Sequence, residues 1–200
     1  MAGYTALPTK NPGDLLTSAL WNTYLQGNAD SGFMRMLADT TLVATAAIVT
    51  LASIPQTFAH LLLVCYGRST AAATSDSLAL QFNGDTAANY DYQVASTSAG
   101  AASGSEVFAT TSIQVGLVPG STAPANAFGT TAIYIPHYTG STNNKTLKSD
   151  SACKIGTTSG SLFMRQTAGF WRSNNAITQI ALIANQLAIG CRFTLYGLPH

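Results

Sequence analysis

The sequence predicts an all-β fold: an antiparallel β-sandwich, jelly-roll-like, preceded by an N-terminal arm with one short helix. Three observations predict it. From Thr40 onward, short apolar or alternating runs follow one another at the spacing of a sandwich or barrel, and none carries a helical period. About nine strand candidates occur with no helix between them, which excludes the βαβ crossovers that a parallel sheet requires. No motif repeats at a fixed period, which argues against a solenoid or propeller.

Residues 1–39 read as the arm and 40–200 as the sandwich domain. In the arm, "ALPTKNPGD" carries two prolines and a glycine and favours an extended chain. Leu16, Leu20, Trp21, Tyr24 and Leu25 then recur at helical spacing, with Asp14 or Thr17 to cap the start and Gly27 to stop the end. A helix of about two to three turns is marginal alone in water, so these five are candidate docking residues. Periodicity leaves their target open between their own domain and a neighbouring subunit.

The apolar stretch Leu42 to Ile54 is interrupted by Thr and Ser and is too short to span a bilayer, so it reads as a buried strand or strand pair. "TFAHLLLVCYGR" is almost continuously apolar, which predicts a central strand covered on both faces. In "DSLALQFNGDTAANYDYQVAS", Leu78, Leu80 and Phe82 face Tyr90, Tyr92 and Val94 in a predicted hairpin whose turn starts at Asn83 and Gly84. "STSAGAASGSE" has the composition of a flexible loop. "VFATTSIQVGLV" reads as one strand with Val107, Ala109, Thr111, Ile113 and Val115 on one side, and "FGTTAIYIPHY" as another ending near Pro136. The segment 139–172 mixes turns with shorter strands. "AITQIALIA" and "CRFTLYGL" are predicted antiparallel partners about "NQLAIG", so the last residues are tied into a sheet.

Composition points to assembly. Of the 200 residues, 46% are hydrophobic and only 8% charged, against an ordinary charged share of about 25%. That is the opposite of disorder. Surfaces that meet other subunits are depleted in Lys, Glu and Asp, so a homo-oligomer is expected. Net charge is +1 and the nine Lys and Arg are scattered from Lys10 to Arg192, which gives neither nucleic acid nor an anionic membrane a basic patch. The opening "MAGYTALPTKNPGD" has no charged region followed by an apolar one, so no secretory leader is expected. Cys65, Cys153 and Cys191 are odd in number and widely spaced, which signals neither a disulfide framework nor a zinc site. Cys65 and Cys191 read as small hydrophobes.

Catalytic chemistry finds little to use. The three histidines, His60, His137 and His200, have no nucleophile or carboxylate beside them in sequence. Glu106 is the single Glu, whereas glycoside hydrolysis needs two carboxyl groups. Asp85 and Asp91 do not match the ligand spacing of an EF-hand, and a turn in which Asn83, Asp85 and Asn89 satisfy local backbone groups fits better. No phosphate-binding, nucleophile-elbow or metalloprotease motif occurs. The aromatics Tyr90, Tyr92, Tyr134, Tyr138, Phe170 and Trp171 suit a core or subunit contacts better than a sugar-binding surface. The expectation is therefore a chain that is not an enzyme, with no catalytic residues, no cofactor and no metal.

Two stretches carry a family resemblance. "NPGDLLTSALWNTYLQGN" resembles the opening of many tailed-phage structural proteins, and "WRSNNAITQIALIANQLAIGCRFTLYGL" resembles the closing strands of related virion proteins, where Trp-Arg-Ser, Ile-Thr-x-Ile and a terminal "LYG" recur. "FNGDTAANYDYQ" fits the same group. The resemblance implies a bacteriophage virion protein built in the host cytoplasm, of a kind variously described as tail fibre, head fibre or structural protein. A fibre needs a long repetitive shaft and this chain has none. Its arm and single compact domain suit a capsid decoration or cement protein, bound to the major capsid protein and to its own copies, with a trimer over a lattice three-fold as the expected symmetry. The alternative is a tail-fibre or head-fibre tip domain that binds host surface glycans. A polysaccharide-degrading enzyme is a third class, for which the sequence hardly supplies the acids.

Overall fold

The computed structural model describes residues 34–156 and 160–199. They form β1 (Arg35–Thr41), β2 (Ala46–Leu51), β3 (His60–Gly67), β4 (Ser75–Phe82), β5 (Tyr90–Ser98), β6 (Ala101–Thr110), β7 (Ile113–Pro119), β8 (Gly129–Pro136), β9 (Lys145–Lys154), β10 (Leu162–Trp171), β11 (Ile180–Leu187) and β12 (Arg192–Leu198). An eight-stranded sheet runs β1-β12-β3-β8-β9-β10-β5-β6 and a four-stranded sheet runs β2-β11-β4-β7. All pairings are antiparallel, so the fold is the all-β sandwich that the strand pattern predicts.

Eight of the strands trace a jelly roll, passing back and forth between the layers to set β1-β12-β3-β8 against β2-β11-β4-β7. The other four are two inserted hairpins. β5–β6 lies between β4 and β7 in the chain, β9–β10 lies between β8 and β11, and both extend the large sheet from β8 outward. Strand alternation fills the space between layers: Leu61, Leu63, Ile133, Ile135, Phe193 and Leu195 point inward from the large sheet, and Leu78, Leu80, Phe82, Ile113, Ile180 and Leu182 from the small one.

β7 is an edge of the small sheet, and hydroxyls of the facing layer complete its hydrogen bonds. Ser149 Oγ donates to the Val115 carbonyl at 2.7 Å, Thr167 Oγ1 to that of Gln114 at 3.0 Å, and Ser151 Oγ accepts from the Leu117 amide at 3.3 Å. Gly116 belongs to this seam because a Cβ there would lie 2.6 Å from Thr131 Oγ1 and 2.7 Å from Ser151 Oγ.

Several local expectations are corrected by this topology. Leu78 to Phe82 and Tyr90 to Val94 do not form a hairpin: β4 pairs with β11 and β7, and β5 with β10 and β6. The turn at Asn83 and Gly84 is real, with φ of 53° and 67°, but it carries the chain from one layer to the other. β11 and β12 likewise lie in different sheets. "STSAGAASGSE" is not a flexible loop but the β5–β6 hairpin, closed by Ala99 and Gly100 at φ of 48° and 87° and tied across by Ser96 and Ser103 at 2.9 Å. Small polar residues hold a strand there because β10 templates β5 residue by residue. "VFATTSIQVGLV" splits between β6 and β7, and the segment expected to hold shorter strands supplies two of ten residues each, β9 and β10. β2 is a half-exposed edge strand, burying Val49 and Leu51 while Ile48 is exposed. The large sheet begins at Arg35, within the stretch assigned to the arm.

Candidate functional site

β3 was expected to be covered on both faces, and it is not. Its inward residues Leu61, Leu63 and Cys65 are buried, whereas His60, Leu62 and Val64 are half-buried and Tyr66 is 51% exposed. The strand belongs to an outer sheet face that no other layer of the described structure covers, and that face is the candidate site.

Register defines it. One row crosses the strands as Met36, Tyr196, Leu62, Tyr134 and Lys148. The next runs Asp39, Thr194, Val64, Ala132, Asp150 and Gln166, and a third Thr41, Arg192, Tyr66, Thr130, Ala152 and Met164. Arg35 lies opposite Gly197, so β1 begins and β12 ends at one pole of the sheet, near the first row. The third row lies towards the opposite pole, where the Tyr66 ring stacks on Phe128 with centroids 4.7 Å apart and planes 9° from parallel.

Two ion pairs lie on the face. Arg192 grips Asp39 through Nε at 2.8 Å and an Nη nitrogen at 2.7 Å, and Thr194 Oγ1 donates to the same carboxylate at 2.9 Å. These bonds from Arg192 and Thr194 hold the Asp39 carboxyl below the usual carboxylate range. Lys148 sits 3.6 Å from Asp150, which also accepts from Gln166 at 2.9 Å. Small residues leave shallow troughs: one of 310 Å³ over Ala132, Ala152 and Met164, and one of 320 Å³ over Ala95, Ala102 and Met164. Such a surface can bind by packing and by neutral hydrogen bonds.

Of the residues singled out for chemistry, His60 and His137 meet, with ring centroids 5.0 Å apart. His60 is half-buried at the start of the central strand β3, and its Nδ1 accepts the His137 amide at 3.2 Å. Asp85 turns both carboxylate oxygens to N–H donors, from Trp171 at 2.7 Å and from Asn89 and the Ala87 amide at 2.9 Å each, which is the wrong environment for a cation. Burial works to raise its pKa, but these hydrogen bonds together lower it. Asn83 satisfies backbone groups as expected, although distant ones: its amide donates to Ala176 O and accepts from Thr178 and Gln179. Burial pushes the Cys153 thiol up to about 11, and Cys65 and Cys191 are raised for the same reason, so none is a ready thiolate. Among the described residues no three His, Cys, Asp or Glu side chains gather to hold a metal, and no helix is long and apolar enough to cross a membrane.

Of the six aromatics, Tyr90, Tyr138 and Trp171 are buried core residues, Tyr92 and Phe170 are half-buried, and Tyr134 alone is exposed. Leu16, Leu20, Trp21, Tyr24 and Leu25 lie outside the described residues. Sequence reading missed Met36, Val64 and Tyr66 as surface residues. The signal was available in "HLLLVCYG", where every second residue faces out. No protein-family model matches the chain, and no curated protein matches it.

Proposed function

We propose that this chain is a non-enzymatic structural subunit of a tailed-phage virion: a capsid decoration or cement protein that binds across capsomers as a homo-oligomer, with a trimer the expected symmetry. The opening and closing stretches that resemble virion proteins support this reading, as does the very low charge. One observation carries it. β1 begins at the pole of the large sheet where β12 ends, so the residues that precede Met34 enter the jelly roll at that one pole, which supports a domain tethered to a shell by one end. Burial of apolar surface across capsomer boundaries, at roughly 25 cal/mol per Å², is the stiffening mechanism.

The test is to add purified protein to particles that lack it. Saturable binding and a raised particle melting temperature are expected, together with loss of binding when residues 1–27 are deleted from a sandwich that stays folded. Wild-type occupancy by the truncated protein removes the arm from the mechanism. Light scattering that finds only a monomer removes the oligomer.

Exposed Tyr66, stacked on half-buried Phe128 beside the troughs, favours a second reading, a fibre-tip domain that binds host glycans at the pole opposite the start of β1. It requires saturable, sugar-specific binding that Tyr66→Ala abolishes.

A further inference from the structure

A sheet ends in a strand whose outer N–H and C=O groups have no ladder, and folds blunt such edges with charge, proline, shortness or a bulge. Among the described residues the large sheet ends at β1 and β6. β1 carries Arg35 and Asp39 and is bulged at Leu37. β6 is ten residues long, with Glu106 its only charge and no proline. Its pairing with β5 is unbroken from Ala101 to Val107, and the bulge comes only beyond, where Phe108 and Ala109 together oppose Asp91. Every second residue of that straight run turns its backbone groups away from β5. No backbone group of another described strand meets them. Ala101 to Glu106 are exposed, and Phe108, the largest side chain on the strand, is 65% exposed.

An open ladder fits another strand, and the sequence of β6 fits its own copy. In an antiparallel pair about a two-fold axis at Gly104, Ser103 stands opposite Ser105, Ala102 opposite Glu106 and Ala101 opposite Val107. Phe108 then stands opposite Gly100, in the turn of the β5–β6 hairpin, which has no side chain to exclude the ring. Each large residue meets a small one, and no charge meets its like. We propose that two copies of this chain join along β6, antiparallel about Gly104, so that their two eight-stranded sheets run on as one. An isologous contact of this kind closes on itself. The inference goes beyond the virion reading and does not depend on it, since that reading names no surface between copies.

Sedimentation equilibrium of the purified chain should show monomer and dimer in exchange. Ser103→Lys/Ser105→Lys changes two exposed side chains and sets lysine opposite lysine in both halves of the pair. The dissociation constant should rise about tenfold, with the circular dichroism spectrum unchanged. Register is read by mixing a Ser103→Cys chain with a Ser105→Cys chain. Directly opposite Cα atoms lie about 4.5–5.5 Å apart, within reach of a disulfide, and the three native cysteines are buried. The mixture should give a disulfide-linked dimer that neither variant gives alone. A chain that stays monomeric, or a disulfide that forms equally well in one variant by itself, overturns the proposal. So does an oligomer whose affinity the lysines leave untouched, and that outcome leaves the virion reading standing.

Discussion

Replacing Ser149 by Ala tests whether hydroxyls hold the two layers together. Ser149 is fully buried on β9, its Oγ donates to the Val115 carbonyl at 2.7 Å, and Val115 is itself fully buried, so no water stands ready to replace the lost donor. The substitution removes one oxygen and leaves little cavity, so the unsatisfied carbonyl dominates and costs about 1–3 kcal/mol. For a domain of this size each kcal/mol moves Tm by roughly 2–4 °C, so Tm should fall by roughly 2–12 °C. Thr146 on the same strand faces outward and is exposed, so Thr146→Ala should stay within about 0.5 kcal/mol of wild type. Thermal unfolding followed by circular dichroism, with a urea titration at fixed temperature, measures both. Equal stability of the two variants would mean that apolar packing alone joins the layers and that the hydroxyl seam is incidental.

The remaining expectations follow from single contacts. Gly197→Ala places a Cβ 2.5 Å from the Phe58 ring, and overpacking of that kind costs about 1–3 kcal/mol, read as an earlier urea midpoint; unchanged stability would show that Phe58 can move aside. Asp39 has a folded pKa below its unfolded value because of Arg192 and Thr194, so its contribution is present above the unfolded pKa and lost as pH falls through the folded one. The stability gap between wild type and Asp39→Asn should therefore close on acidification from about pH 6 to about pH 2, and a gap that persists in acid would assign it to something other than ionisation. All three cysteines should resist a thiol reagent in the native protein and react once it is unfolded; one fast native thiol would place an opening at that strand.

Alternation made the fold class legible, because buried Leu78, Leu80 and Phe82, or Ile133 and Ile135, recur every second residue whatever layer they join. Layer membership was not legible. Asn83 and Gly84 turn the chain as a hairpin would, yet the strands on either side find other partners across the barrel of the jelly roll, and only non-local pairing decides that. The Ala, Ser and Gly of β6 read as a loop because their strand character comes from β5 and not from their own propensity. The outer face escaped for the opposite reason: Leu62 and Val64 are as apolar as Leu61 and Leu63, and apolarity alone does not tell an inward residue from one that awaits a partner.

That ambiguity has a structural use. Two hairpins double the width of the large sheet, and of the added strands β9 and β10 also back β7 of the small one. Eight strands at about 4.8 Å spacing, some seven residues long, present roughly 800 Å² of projected area, the amount each partner contributes to an interface of standard size. β6, the far edge of this extension, pairs with β5 and is exposed along most of its length, so it contributes little to the core, whereas β5, β9 and β10 bury Tyr90, Leu147, Ser149, Thr167 and Trp171. Burial in the single chain does not account for β6. On the reading proposed above, an outer surface of Ala, Thr, aromatics and ion pairs, wide enough to seat a partner, accounts for both β6 and the scarcity of ionised residues in the chain.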